Sequence, residues 1–356
     1  MAVQNPGTLA TERDAWTPLG QIPSLDGLRA LAVIAVLCYH GNWYGVAGGF
    51  VGVDLFFALS GFLITRLLID EHQRRGGISL KNFYIRRSLR LLPAVFAMVA
   101  SVWVFAALLD APQLEDRLGS RSFWALSYVA NWRDVATGTH SGPFSHLWSL
   151  SVEEQFYVVW PVAVVALLAG RGVEAVQRVA IGLAAILAAV TASRYWGGTS
   201  GFRLYFGTES HGAILLLAGS WLGASPRWLS SIKPELARMM LATGLVGFAV
   251  FCFAEDHFNV IHLGFGYVPI GIISLMAVIG ASRHPELPVL AARPLRAIGR
   301  ASYAIYLWHL PMFAITEAIA PEVDARVRIV IGTVLATVAS HYLVERPALR
   351  LKQRWA

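Results

Sequence analysis

Charge is scarce in this chain: Asp, Glu, Lys and Arg make up only 14% of its 356 residues, while 56% are hydrophobic. With a mean hydropathy of +0.55, that imbalance excludes an ordinary soluble domain and points to an all-α integral membrane protein. Strict alternation of apolar and polar residues is missing too, which excludes a β-barrel. Cysteine is nearly absent. Cys38 and Cys252 fall in apolar runs without metal-ligand spacing, so they read as small buried hydrophobes and no metal site is expected. No basic region precedes an apolar core at the N-terminus, so residues 1–23 read as a short cytoplasmic tail and not as a signal peptide. Internal repeats and low-complexity tracts are lacking as well. One membrane domain over 24–350 is expected, with 351–356 as a cytoplasmic C-terminal tail and no room for an appended soluble domain. Lysine is confined to Lys81, Lys233 and Lys352 while arginine is plentiful, a bias that fits a GC-rich bacterial genome.

What is present is a series of apolar runs at 27–45, 48–69, 91–110, 144–169, 174–194, 205–224, 238–254, 264–282, 297–319 and 326–344. The net charge of +7 raises nucleic acid as a partner, but the placement of that charge argues otherwise. Roughly twenty of the basic residues fall on alternate flanks and only about seven on the opposite ones, the positive-inside pattern of about ten transmembrane helices with both termini cytoplasmic. Membrane lipid is therefore the expected surroundings, and nucleic acid is not needed.

Polar residues inside these runs mark a site. Arg29 and His40 share the first run, and eleven residues at about 100° each return them to nearly one helix face, about 16 Å apart. A lipid-facing Arg or His is costly, so both are expected to face a protein interior or wet cavity; the bland reading is a snorkelling arginine and a core histidine. Asp54 lies just after the Gly45–Gly49 turn, at a depth like that of His40. It is expected either to orient that imidazole for general-base work or simply to tie the hairpin together. His146 and Glu153, seven residues apart, share one face at the start of the fourth run, beside Trp148, Glu154 and Gln155. Glu209 and His211 open the sixth run, His309 precedes Pro311 in the ninth, and Glu345–Arg346 read as a terminal ion pair. His309 has two open readings, as a functional group or as a cap for carbonyls freed by the proline. His146, Trp148, Gln155, Glu209, His211 and His309 are the candidates for contacting substrate. Trp43, Tyr44, Trp132, Trp196 and Tyr205 suit either sugar stacking or an interfacial aromatic belt. Between the second and third runs, Arg86, Arg87 and Arg90 sit on a basic amphipathic cytoplasmic helix, fit either to clamp phosphates or to meet anionic lipid.

In order along the chain, Ser24-Leu-Asp-Gly-Leu-Arg29, Tyr39-His40, Gly52-Val-Asp-Leu-Phe-Phe-Ala-Leu-Ser-Gly-Phe-Leu-Ile-Thr65, Arg86-Arg87-Ser-Leu-Arg90-Leu-Leu-Pro93, Trp148-Ser-Leu-Ser-Val-Glu-Glu-Gln-Phe-Tyr157, Tyr306-Leu-Trp-His309 and Glu345-Arg-Pro347 resemble the bacterial membrane acyltransferase-3 family over essentially residues 24–350. The resemblance implies a ten-helix bundle in the bacterial inner membrane. Its activity would be O-acyl transfer from acyl-CoA, acetyl-CoA foremost, to a hydroxyl of a saccharide, glycolipid or macrolide, with no tightly bound cofactor. It carries His40 over as the central catalytic residue with Arg29 as its basic partner, Glu153 as a pocket carboxylate, and Arg86, Arg87 and Arg90 as candidates for the CoA phosphates. Asp54 or Glu153 would orient or charge-balance His40. Where this chain has His211, many members have arginine, a departure that leaves this contact open. Members with an extracellular hydrolase-like domain pass acyl groups through it, so this chain is expected to complete transfer within the bundle. The alternative from another class is a proton-coupled transporter with His40, Asp54 and Glu153 as a proton relay.

Overall fold

The computed structural model describes residues 22–43, 45–109, 114, 117–140, 142–253 and 267–352. The expected N-terminal tail up to residue 21, Tyr44 and residues 353–356 lie outside the described residues. The described residues are mostly helical, with no strand among them: α1 Pro23–His40, α2 Gly52–Arg75, α3 Leu80–Leu109, α4 Leu118–Leu126, α5 Ala130–Thr137, α6 Leu147–Arg171, α7 Val173–Trp196, α8 Gly201–Phe206, α9 His211–Gly223, α10 Pro226–Ser231, α11 Pro234–Cys252, α12 Tyr267–Arg283, α13 Arg293–Ile319 and α14 Ala325–Ser340. A π-turn, His341–Glu345, leads into α15, Arg346–Lys352.

Among the described residues, six segments are long and apolar enough to cross a membrane: Gly49–Arg75, Leu80–Leu109, Leu147–Arg171, Val173–Trp196, Pro234–Cys252 and Ala325–Leu351. The other four expected spans are also helical. They are less clear-cut because α9 and α12 are short and α1 and α13 carry polar groups in their interiors. Outward faces are apolar, with Ile186, Val246, Val250 and Leu335 each more than half exposed, as hydrocarbon contact requires. The hub is α2: 78% of its apolar window is buried inside the protein, against 22% for α11.

Small residues set the spacing at that hub. A Cβ on Gly61 would lie 1.9 Å from the carbonyl oxygen of Leu216, and one on Gly219 2.2 Å from that of Ala58, so α2 and α9 pack backbone to backbone. The same device brings α13 onto α1, where a Cβ on Gly299 would lie 1.8 Å from the oxygen of Asp26. From that crossing, Ser302, Tyr306 and His309 rise at helical spacing along one face of α13, opposite Arg29, Val36 and His40 on α1. The basic stretch at 78–93 is not a separate surface helix as expected. From Leu80 it is the first part of α3, which runs on through Pro93 into the apolar run, and Arg87 and Arg90 consequently reach the cavity inside the bundle.

Candidate active site

A cavity of about 520 Å³ opens between α1, α2, α3, α6 and α13 at the end of the bundle that carries Arg90 and Arg300. One wall is apolar, made by Phe56, Leu59, Leu63 and Leu67 along a stripe of α2. The facing walls are polar and include Arg29, Ser60, Arg87, Glu153, Glu154, Tyr157 and Ser302. Arg29 donates from Nε to Ser302 Oγ at 3.2 Å, and Ser60 donates to Glu153 Oε1 at 2.7 Å. Arg87 is held by a two-pronged pair with Glu154, its Nε 3.0 Å from Oε2, and stacks 3.5 Å above the Tyr157 ring. The floor is formed by Ser149 and Tyr306, whose hydroxyls meet at 2.6 Å.

Beyond that floor lie three imidazoles. The ring centroid of His309 is 5.2 Å from Tyr306, 4.9 Å from His146 and 4.8 Å from His40. His146 and His309 are buried, whereas His40, at the last turn of α1, is partly exposed. His40 therefore does not line the cavity with Arg29; one layer of side chains separates them. Backbone partners fix the tautomers, since a carbonyl can only accept. His40 Nδ1 lies 3.0 Å from the oxygen of Val36, so Nδ1 carries the hydrogen and Nε2 keeps the lone pair. His309 Nδ1 donates to the oxygen of Tyr306 at 2.5 Å. His146 Nε2 donates to the oxygen of Leu307 at 3.0 Å. That is the carbonyl whose usual i+4 donor is missing because residue 311 is proline. His146 thus takes the proline-cap role that was one of the two readings of His309.

Several expected groupings are redrawn. Asp54 faces His211 instead of His40: its Oδ1 lies 3.3 Å from His211 Nε2, with both side chains only 2% exposed. Glu153, seven residues deeper on α6 than His146, sits with Ser60 at the Arg29 level and likewise does not reach His40. The three arginines are not grouped together. Arg86 pairs with Glu71 at 3.0 Å outside the cavity, whereas Arg87, tied to Glu154, and Arg90 both line it. Trp148 is core, packed against Phe57, Tyr205 and Phe206. Gln155 is consumed by Tyr128, Asn131, Trp132 and Thr208, and so ties α6 to the segments around α5 and α8. Glu209 holds Arg194 and Arg203. His211 stacks on Tyr205 at 4.6 Å, away from the cavity. Trp196 is 74% exposed and lines no cavity. Glu345 accepts from Ser340 while Arg346 lies over Tyr342, so the expected ion pair is replaced by these contacts.

Sequence reasoning missed Ser60, Ser149, Arg300, Ser302 and Tyr306. Ser302 and Tyr306 had a signal, since they stand seven and three residues before His309 and so share its helix face. Arg300 had none beyond its charge. No acidic partner of Arg90 or Arg300 occurs among the described residues.

The arrangement is that of a multi-pass helical membrane protein with a cavity of about 520 Å³ ending near a histidine cluster. Residues 22–345 match the family described as acyltransferase domain, and the chain belongs to that family. It is 33% identical over 350 residues to the peptidoglycan O-acetyltransferase OatA of Listeria monocytogenes, covering 92% of this chain and 55% of that protein. Similar values relate it to the putative peptidoglycan O-acetyltransferase YrhL of Bacillus subtilis (33%, covering 92% and 54%). The O-acetyltransferase OatA of Staphylococcus aureus is 32% identical, with 92% and 57% covered. The chain thus spans about half the length of these relatives. No solved structure matches it.

Proposed function

We propose that this protein is an integral membrane O-acyltransferase that moves an acetyl group from acetyl-CoA to a hydroxyl of a saccharide acceptor. The observation that carries the reading is the continuity from cavity to imidazole cluster. A long pocket ends at Tyr306 and has a mixed polar and apolar interior, with Arg90 and Arg300, which have no acidic partner among the described residues, at its mouth. Across that residue and His309 lies His40, partly exposed and with a bare Nε2. Phosphates of the donor would be held at the mouth by planar guanidinium groups. The pantetheine arm would run along the stripe from Leu67 to Phe56, bringing the thioester to the Ser149–Tyr306 floor, which would have to part for the thioester to meet His40. The names of the relatives, peptidoglycan O-acetyltransferases among them, favour an acetyl donor and a saccharide acceptor over a glycolipid or a macrolide.

In this mechanism the acceptor hydroxyl gives its proton to His40 Nε2 as its oxygen attacks the thioester carbonyl. The carbon–sulfur bond breaks, the ester forms, and the thiolate takes a proton from the imidazolium to leave as free CoA thiol. An acyl-histidine formed first on Nε2 is the two-step version of the same balance. The topology that accompanies this reading is ten crossings with both termini cytoplasmic. The cavity mouth then faces cytoplasmic acetyl-CoA, and His40 faces the outer half of the bacterial inner membrane. A proton relay through His40, Asp54 and Glu153 finds less support, because Asp54 is occupied by His211 and Glu153 by Ser60.

The test is release of free CoA thiol from acetyl-CoA by purified wild-type and His40→Ala protein, with peptidoglycan fragments, simple glycans and a macrolide as acceptors. Acceptor-dependent release that is lost in the variant is the expected result. Near-normal turnover in His40→Ala, or no binding of CoA by the wild type, would overturn the reading.

A further inference from the structure

His40 has a bare Nε2 only because something occupies its other nitrogen, and two acceptors do so. Nδ1 lies 3.0 Å from the oxygen of Val36 and 3.3 Å from Nε2 of His309. The Val36 carbonyl belongs to the same helix and one turn back, so it fixes the tautomer but constrains the ring plane weakly. His309 supplies the constraint from a second helix. Its own Nδ1–H is spent on the Tyr306 carbonyl, which forces Nε2 to be the acceptor facing His40. The His309 side chain is fully buried and lies against Tyr306 and His146 as well as His40. Carboxylates, the usual orienting partners of a basic imidazole, are committed elsewhere: Asp54 to His211 and Glu153 to Ser60.

We infer that His309 is the positioning residue for His40, a neutral imidazole in the role that a carboxylate fills in many acyl-transfer sites. It accepts the Nδ1–H of His40, aims Nε2 at the acceptor side, and keeps that hydrogen bond when His40 takes up the acceptor's proton. His309 does not pass a proton onward, because its other nitrogen ends on a backbone carbonyl. The inference rests on the reading of His40 as the base and adds the residue that orients it.

His309→Leu removes the acceptor while filling the space, and His309→Gln offers an amide oxygen near the position of Nε2. Both are purified beside the wild type, and their melting temperatures in detergent are recorded with the kinetics of thiol release. For His309→Leu the expected result is a kcat loss of about a hundredfold, with the KM for acetyl-CoA within about twofold. His309→Gln is expected to recover about tenfold of that loss at a similar melting temperature. Equal loss in both variants, or a loss in KM alone, would overturn the inference. A readout independent of turnover is the ¹⁵N spectrum of histidine-labelled protein, with the His40 signals identified by their disappearance in His40→Ala. The wild type should show His40 protonated on Nδ1 and bare on Nε2, with the Nδ1 signal shifted by His309→Leu and restored toward its original position by His309→Gln. The opposite tautomer, or an Nδ1 signal indifferent to residue 309, would overturn the inference even in an active enzyme. The expected spectra from a protein without thiol release would instead remove the acetyl-CoA reading and leave the hydrogen bond standing.

Discussion

Gly299→Ala isolates the helix contact on which the site depends. A methyl group there would lie 1.8 Å from the backbone oxygen of Asp26, with the α-carbon of Asp26 only 3.0 Å away. Backbone cannot swing aside as the end of a long side chain can, so α13 and α1 must part by ~1 Å or more before the contact is tolerable. Overpacking of this kind costs about 1–3 kcal/mol. The catalytic penalty should be larger than that stability loss implies. The two contacts strung along the same helix pair, Arg29 to Ser302 at 3.2 Å and His40 to His309 at 3.3 Å, have no slack and would open past hydrogen-bonding distance. A displacement of ~1 Å at a reacting group commonly removes about a hundredfold in rate. The assay is thermal melting in detergent paired with thiol release from acetyl-CoA. Gly182→Ala serves as the control, since nothing lies within 4 Å of a Cβ there. In the control the alanine should be neutral or stabilising by up to about 1 kcal/mol, as glycine in a helix interior disfavours folding. Unchanged kcat and melting temperature in Gly299→Ala would refute the view that this close crossing sets the site.

Two further outcomes test the redrawn contacts. In a double-mutant cycle, Asp54→Asn and His211→Leu should couple by about 1–3 kcal/mol in stability, while Asp54→Asn and His40→Ala should be additive within about 0.5 kcal/mol; the reverse pattern, read from denaturation curves, would restore the expected Asp54–His40 pairing. Arg300→Ala should raise the KM for acetyl-CoA about tenfold with little change in kcat, since a guanidinium with no acidic partner among the described residues contributes, at the cavity mouth, to binding and not to the chemical step. Arg86→Ala, which breaks the pair with Glu71 outside the cavity, should leave the KM within about twofold.

Much of the fold was legible in the sequence because hydrophobic length is a local property. The described part of each of the ten apolar runs is mostly helical, and Cys252 is buried as expected while Cys38 is only partly so. Polar residues inside such runs were legible as site candidates for an equally local reason, the expense of exposing them to lipid. Their partners were not. Depth estimates put Asp54, His40 and Glu153 in one layer, but a difference of seven residues along α6 separates His146 from Glu153 by about 10 Å. The rotation of α2 about its own axis turns Asp54 toward α9 and Ser60 toward α6. Neither rotation nor offset is written in a hydropathy profile. The reading of Gln155 failed in the same way, because its four partners come from segments 23 to 53 residues away.

The sequence by itself determined that this chain folds as apolar helices, which of its ionisable groups must face inward, and, through several motifs in register, its family. Those follow from transfer free energies and from residue order, which need no partner to be defined. Only the tertiary structure decided which inward groups meet. It was close packing at Gly61, Gly219 and Gly299 that fixed how far each helix slides and turns against its neighbours. That packing assigned Asp54 to His211, His146 to the carbonyl freed by Pro311, and His309 to His40.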